Sequence, residues 1–203
     1  MGAELLSKVE KRAIVDILKA GGLFPNCSAW IVGGCLNRAD SKDIDILIKT
    51  RKPIDFFDAG RFATDDYRIV SRHNQYDSQD SGKDLIAKME RRDGSKESRP
   101  IDLLFTSEQH MPGSIGTYME KYFPLSIQMI AVNAYTGEVT DNSNPGGNIL
   151  ISPWVNPDAE YVQKYFDYYP NKVFYQVQEV RQLREVSRKP PKTEKDLENE
   201  IPF

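Results

Sequence analysis

The sequence predicts an α+β fold with a C-terminal helical extension. Three features carry the expectation: an amphipathic helix opens the chain, a series of strand-length apolar or alternating stretches follows it, and helical spacing returns after residue 158. Leu5, Val9, Ile14, Ile17 and Leu18 recur at roughly helical spacing, and Gly21-Gly22 closes the pattern. AWIVGG is apolar and β-branched and runs into a Gly-Gly pair, whereas DIDILI alternates acid and apolar residues, so the two read as neighbouring strands. YRIVS at 67–71, DLIAKME at 84–90 and PIDLLF at 100–105 are further strands, with RRDGSKES as the turn between the last two. TYMEKYF reads as a short helix stopped by Pro124, and IQMIAVNAYTGEVTDN as a hairpin turning at Thr136-Gly137. Residues 158–188 have mainly helical character broken at Pro170-Asn171, and PPKTEKDLENEIPF is polar enough for a loose tail. The expected division is a catalytic-type domain at 1–148 and the helical extension with its tail at 149–203.

Composition narrows the function classes. The chain has 203 residues, 39% apolar and 28% charged, as in a globular protein in water, and no apolar run approaches the roughly 20 residues that cross a bilayer. The N-terminus lacks the apolar stretch of a secretory signal, and Cys27 and Cys35 have no metal-ligand spacing, so reduced thiols and a cytoplasmic location are expected. A net charge of −3 argues against a surface built wholly to embrace nucleic acid. Two local stretches are basic: six cations against Glu185 and Glu194 at 181–195, and five against three acids at 88–99. Both read first as solvated faces.

The chemistry concentrates elsewhere. Asp43 and Asp45 are two residues apart, so on a strand their carboxylates share a face about 6–7 Å apart at the backbone. Two like charges on one face pack poorly, but a hard divalent cation converts their repulsion into coordination. Asp102 sits between aliphatic residues of another strand, where an uncompensated carboxylate would be costly. Gly33-Gly34 ends a strand and lets backbone N–H groups approach phosphate oxygens. His73 and His110 are isolated, without a paired nucleophile, and the aromatic residues between Tyr161 and Tyr175 read as the packing face of a helix.

Gly34 lies nine residues before Asp43, between two strands, and this combination resembles the signature of the DNA polymerase beta-like nucleotidyltransferase superfamily. IVGGCLNRADSKDIDILI looks like the segment in which CCA-adding enzymes and bacterial poly(A) polymerases carry Gly-Gly, a basic residue and a DxD pair. LSIQMIAVNAYTGEVTDN is similar to a second segment of theirs that closes on an aspartate, here Asp141. Two departures stand out: Phe123-Pro124 replaces the Arg-Asp that ordinarily precedes this second segment, and Asn37 precedes Arg38 where the family usually has Arg-Asp.

The resemblance implies a nucleotidyltransferase fold, a mixed β-sheet with helices packed mainly on one face. It further implies magnesium or manganese ions held by Asp43 and Asp45, with Asp102 helping to bind one and to activate an acceptor hydroxyl. A nucleoside triphosphate would be positioned by Gly33, Gly34 and Arg38, with Lys42 as a weaker contact, and pyrophosphate would leave. The expected acceptor is an RNA or tRNA 3′ end. The chain resembles the catalytic head alone, without the domains that grip tRNA. Two alternatives stay open: a toxin-like or protein-modifying nucleotidyltransferase, and a catalytically silent nucleotide-binding protein of the same fold.

Overall fold

The computed structural model describes residues 6–23, 28–54, 58–74, 82–143, 147–179 and 182–189. Leu5, Cys27 and the tail beyond 189 lie outside the described residues. The chain divides into two compact units, residues 1–144 and 145–203.

The first unit opens with α1 (Lys8–Ala20), whose start is fixed by a reciprocal cap. The Ser7 hydroxyl accepts from Glu10 N at 3.2 Å, and Glu10 Oε2 accepts from Ser7 N at 2.8 Å. The buried stripe is Glu10, Ala13, Ile14, Ile17 and Leu18, while Val9 is 43% exposed. A carboxylate thus occupies a place that periodicity alone would give to an apolar side chain.

Seven strands form one sheet: β1 (Ser28–Val32), β2 (Ile44–Thr50), β3 (Tyr67–Asn74), β4 (Leu85–Arg91), β5 (Ile101–Ser107), β6 (Ile130–Asn133) and β7 (Val139–Asp141), in the order β3-β4-β5-β2-β1-β6-β7. Only β2 and β5 run parallel, so the sheet is mixed as expected. A second helix, α2 (Ile115–Tyr122), is capped by Ser114 and ends at Phe123, ahead of Pro124.

Strand alternation sorts the core into two layers. Ile44, Ile46 and Ile48 of β2 join Ile101, Leu103 and Phe105 of β5 beneath α1. Leu47 and Leu104 point the other way and pack with Tyr118, Met119 and Phe123 of the α2 segment. The two helices therefore divide between the faces rather than sharing one, because β2 is apolar on both sides beyond Asp45. Phe123, at the departure from the family pattern, is spent on this second layer.

The second unit corrects the expectation of a helical extension. A helix, α3 (Glu160–Tyr168), is present, but β8 (Ile149–Ile151), β9 (Phe174–Glu179) and β10 (Gln182–Val186) form a three-stranded sheet in the order β10-β9-β8. The helix ends at Tyr168, just ahead of the Pro170-Asn171 break, and the aromatic and β-branched residues Phe174, Tyr175 and Val177 beyond it lie in a strand. Phe174 and Val186 are both buried and directly paired across β9 and β10, and Phe174 stacks on Phe166 at 3.9 Å. Among the described residues no helix is long and apolar enough to cross a membrane.

Candidate active site

The parallel pairing of β2 and β5 sets Asp45 directly beside Asp102, on neighbouring strands about 4.8 Å apart. Since Leu47 and Leu104 pack towards α2, Asp45 and Asp102 lie on that same face by alternation, as does Asp43 two residues before Asp45. The row continues through Val32 of β1 on one side and Lys88 of β4 on the other. Burial pushes the Asp45 carboxyl up to about 7, and the negative charges of Asp43 and Asp102 push the same way against Lys83. Burial also lowers the Lys83 ammonium, which Asp45 in turn favours.

The Gly-Gly turn abuts this row. Gly33 has φ +81°, in the left-handed region, and a Cβ there would lie 2.7 Å from Asp45 Oδ2. Glycine is thus required both by the backbone and by the carboxylate that approaches it. Gly34 accepts through its carbonyl from Asn37 N at 3.0 Å and Arg38 N at 2.9 Å, which tightens the turn. The Arg38 guanidinium folds back over Gly34, with Nη2 3.5 Å from where a Cβ would stand, and Nε lies 3.9 Å from Asp40 Oδ1. Ser41 Oγ donates to Asp43 O at 3.0 Å, fixing the approach to β2. Asn37, the second departure from the family pattern, donates through Nδ2 to Ile127 O at 2.6 Å and ties the turn to the second family-like segment.

Cys35 is buried beneath the turn, and burial followed by the Asp45 charge pushes its thiol up to about 12. It is an unreactive packing residue at neutral pH. Asp141 is exposed, and its Oδ1 accepts from Ser143 N at 2.9 Å and Ser143 Oγ at 2.5 Å. His110 lies with Nε2 3.4 Å from Oδ1 of the buried Asp84.

The structure therefore gathers Asp43, Asp45, Asp102, Gly33, Gly34 and Arg38. Lys42 is exposed and lines a separate groove with Lys96 and Arg99. Lys83 and Lys88 escaped the sequence reading. Lys88 had a signal, since LIAKMER alternates and puts Ile86, Lys88 and Glu90 on one face. Lys83 precedes its strand and carried none.

Arg99, three residues ahead of Asp102, locks the edge of this site to α1. Its Nε donates to Glu10 Oε1 at 2.8 Å and its Nη2 to Glu10 Oε2 at 3.1 Å, and the Glu10 side chain is only 6% exposed. Burial opposes ionisation of Glu10, but the bonds from Arg99 and the Ser7 backbone together outweigh it and hold the carboxyl at about 2. Glu10→Gln is expected to cost about 1.5–3 kcal/mol, because it removes the charge from a buried acceptor of a half-buried guanidinium. The carboxyl is held below its unfolded value, so its contribution is complete above about pH 4.5 and is lost as pH falls towards 2. Urea melts of wild type and Glu10→Gln from pH 3 to 7 check this; curves that stay parallel across that range would refute it.

No protein-family model matches the chain, and no curated protein matches it. The chain is similar in structure to CCA-adding enzymes. Against such an enzyme in complex with CTP the TM-score is 0.47 at 17% identity, over 83% of this chain and 37% of that one. Against one in complex with ATP it is 0.44 at 16% identity, over 68% and 31%. Against the Thermotoga maritima CCA-adding enzyme complexed with tRNA it is 0.44 at 17%, over 69% and 32%. The chain thus spans about a third of the length of these enzymes.

The donor set suits a hard divalent cation. Three carboxylates crowd one patch, and Asp45 is driven towards protonation by burial first and by the other two charges second, a conflict that a cation relieves. Among the described residues no three His, Cys, Asp or Glu side chains close on a single point. Magnesium does not require that, since it keeps waters and is held by one or two carboxylates together with substrate phosphates.

Proposed function

We propose that this chain is a metal-dependent nucleotidyltransferase that moves a nucleoside monophosphate from a nucleoside triphosphate to a hydroxyl acceptor, an RNA 3′ end. The observation that carries the reading is the pairing of Asp45 with Asp102 across parallel strands, with Asp43 two residues away and Gly33 against the Asp45 carboxylate. A half-buried patch of three aspartates is costly as packing and useful as a cation seat.

In this reading Asp43 and Asp45 hold magnesium or manganese, which supplies charge neutralisation on the triphosphate and lowers the pKa of the attacking hydroxyl. The backbone N–H groups of the Gly33-Gly34 turn orient the triphosphate, and Arg38 adds a charge-assisted contact to its oxygens. Asp102 orients the acceptor hydroxyl and takes its proton. The acceptor oxygen bonds to the α-phosphorus, the bond from that phosphorus to the bridging oxygen of the β-phosphate breaks, and pyrophosphate leaves. Lys83, in its charged form, opposes part of the repulsion on Asp45.

The test incubates the protein with each labelled NTP, magnesium or manganese, and bulk tRNA or a cell lysate, beside Asp43→Ala/Asp45→Ala. Labelled RNA from wild type and none from the double variant is the expected result. Labelled protein would replace the RNA acceptor by a protein side chain. Equal NTP and metal binding by both proteins, with no label in either fraction, would end the metal-site reading.

A further inference from the structure

The end of β2 remote from the aspartates borders a cavity of about 590 Å³. Residues 49–54 at the exit of β2 form one wall, and the short turn Asp58–Phe62, Glu108 beyond β5 and Leu23 after α1 contribute the others. Neither the Gly33-Gly34 turn nor any of the three aspartates lines it. Lys49 stands four residues beyond Asp45 on the same strand, about 13 Å away at the ordinary strand rise.

Four cations, Lys49, Arg51, Lys52 and Arg61, share the cavity with two acids, Asp58 and Glu108. None of the four forms an ion pair among the described residues. In a chain of net charge −3 the cavity thus carries an excess of two positive charges, which matches a phosphate monoester at about −1.5 to −2 near pH 7.

The walls are fixed by bonds that leave these cations unspent. Thr50 Oγ1 donates to Lys52 O at 2.6 Å, and Glu108 N donates to Thr50 O at 3.1 Å, so the backbone that carries Arg51 and Lys52 is tied to the exit of β5. The Arg61 guanidinium lies 5.7 Å from the ring centroid of the buried Phe62, a cation–π contact that steadies the side chain without neutralising it. Apolar surface lies beside the charge: Ile54 is buried in the core beneath α1, and half-buried Leu23 packs on that core. Arginine presents a planar fork to two oxygens of one phosphate, and the volume is that of a small-molecule site.

We propose that this cavity binds a small phosphate ester, with its phosphate on Arg51, Lys52 and Arg61 and its apolar body against Leu23, Pro53 and Ile54. This second anion site is separate from the Gly-Gly turn and holds whether or not the aspartates serve transfer.

The test titrates phenyl phosphate, inorganic phosphate and phenol into the full chain by calorimetry, with a chelator present so that no divalent cation draws phosphate to the aspartates. Phenyl phosphate should bind more tightly than inorganic phosphate, and phenol should not bind. Arg51→Gln/Arg61→Gln should weaken phenyl phosphate by about tenfold or more, at an unchanged melting temperature because both side chains are exposed, and Arg51→Lys/Arg61→Lys should recover part of the loss. Independently of any variant, phenyl phosphate should shift the amide resonances of wild type around residues 49–54 and 61. No binding of either phosphate at millimolar concentration, or equal affinity in Arg51→Gln/Arg61→Gln, would overturn the proposal. Shifts centred instead on residues 33–38, at the Gly-Gly turn, or on 94–99, in the groove at the β4–β5 hairpin, would do the same.

Discussion

Asp45→Asn is expected to abolish transfer, by about 10³-fold or more, and at the same time to stabilise the metal-free protein. The loss of activity follows from removing the middle carboxylate of the patch, and with it charge that positions the cation against the triphosphate. The gain in stability follows from the same geometry. The folded Asp45 carboxyl sits at about 7 against an ordinary value of 3.8, because burial and two neighbouring aspartates oppose its charge. Between about pH 4 and pH 7 the folded state therefore holds more protons than the unfolded one, and stability of the metal-free protein falls as pH rises through that window. Below it the carboxyl is neutral in both states and the effect vanishes. Removing the charge should return on the order of 2–4 kcal/mol above pH 7. The residue keeps some solvent exposure, which favours the lower end. Thermal or urea melts in a chelator from pH 4 to 8 read this directly: the difference between variant and wild type should open through the window and then level. A variant no more stable than wild type at pH 8 would show that Asp45 is not under that repulsion. Magnesium with NTP should narrow that difference, since a ligand at 100 times its Kd adds about 2.7 kcal/mol to the state that binds it.

Gly33→Ala should damage the protein twice over. At φ +81° an alanine costs about 1–2 kcal/mol of backbone strain, and its methyl would meet Asp45 Oδ2 at 2.7 Å. The carboxylate can turn aside to relieve that clash, but only by leaving the position in which it faces Asp43 and Asp102. Transfer should fall at least about 100-fold, since a displacement of an ångström at a reacting centre is worth that much, and stability by about 1–3 kcal/mol. Gly34→Ala provides the comparison: its φ is ordinary, and the nearest atoms, Arg38 Nη2 and Ser41 Oγ, stand at 3.5 and 3.6 Å. A Gly33→Ala protein as active and as stable as Gly34→Ala would detach the turn from the site.

These effects mark how much the sequence could disclose. Alternation identified β2 and placed Asp43 and Asp45 on one face, because strand period is local information. The partnership of Asp45 with Asp102 depends on a parallel pairing across more than fifty residues, and register between distant strands leaves no local trace. Lys88 reaches the site through the same long-range pairing. Glu10 and Val9 exchanged their expected places because a buried carboxylate is tolerable once Arg99 pairs with it, and that partner arrives from far along the chain. Beyond Pro170, aromatic residues fit helical and strand spacing alike over a short run, and pairing with Val186 decided for the strand. Lys42 reads as part of a phosphate site from its neighbours in sequence; its side chain belongs to the hairpin groove.

Asp43, Asp45 and Asp102 are expected to serve transfer of the nucleotide itself, which the position of a label in the triphosphate reveals. Wild-type protein is incubated with magnesium, acceptor RNA and NTP labelled at either the α- or the γ-phosphate, and the RNA is resolved from pyrophosphate. Label from the α-phosphate should enter the RNA and lengthen it by one nucleotide, label from the γ-phosphate should appear only in pyrophosphate, and Asp45→Asn should give neither. Entry of γ-label into the acceptor, or α-label transferred equally by Asp45→Asn, would rule out that role for the aspartates.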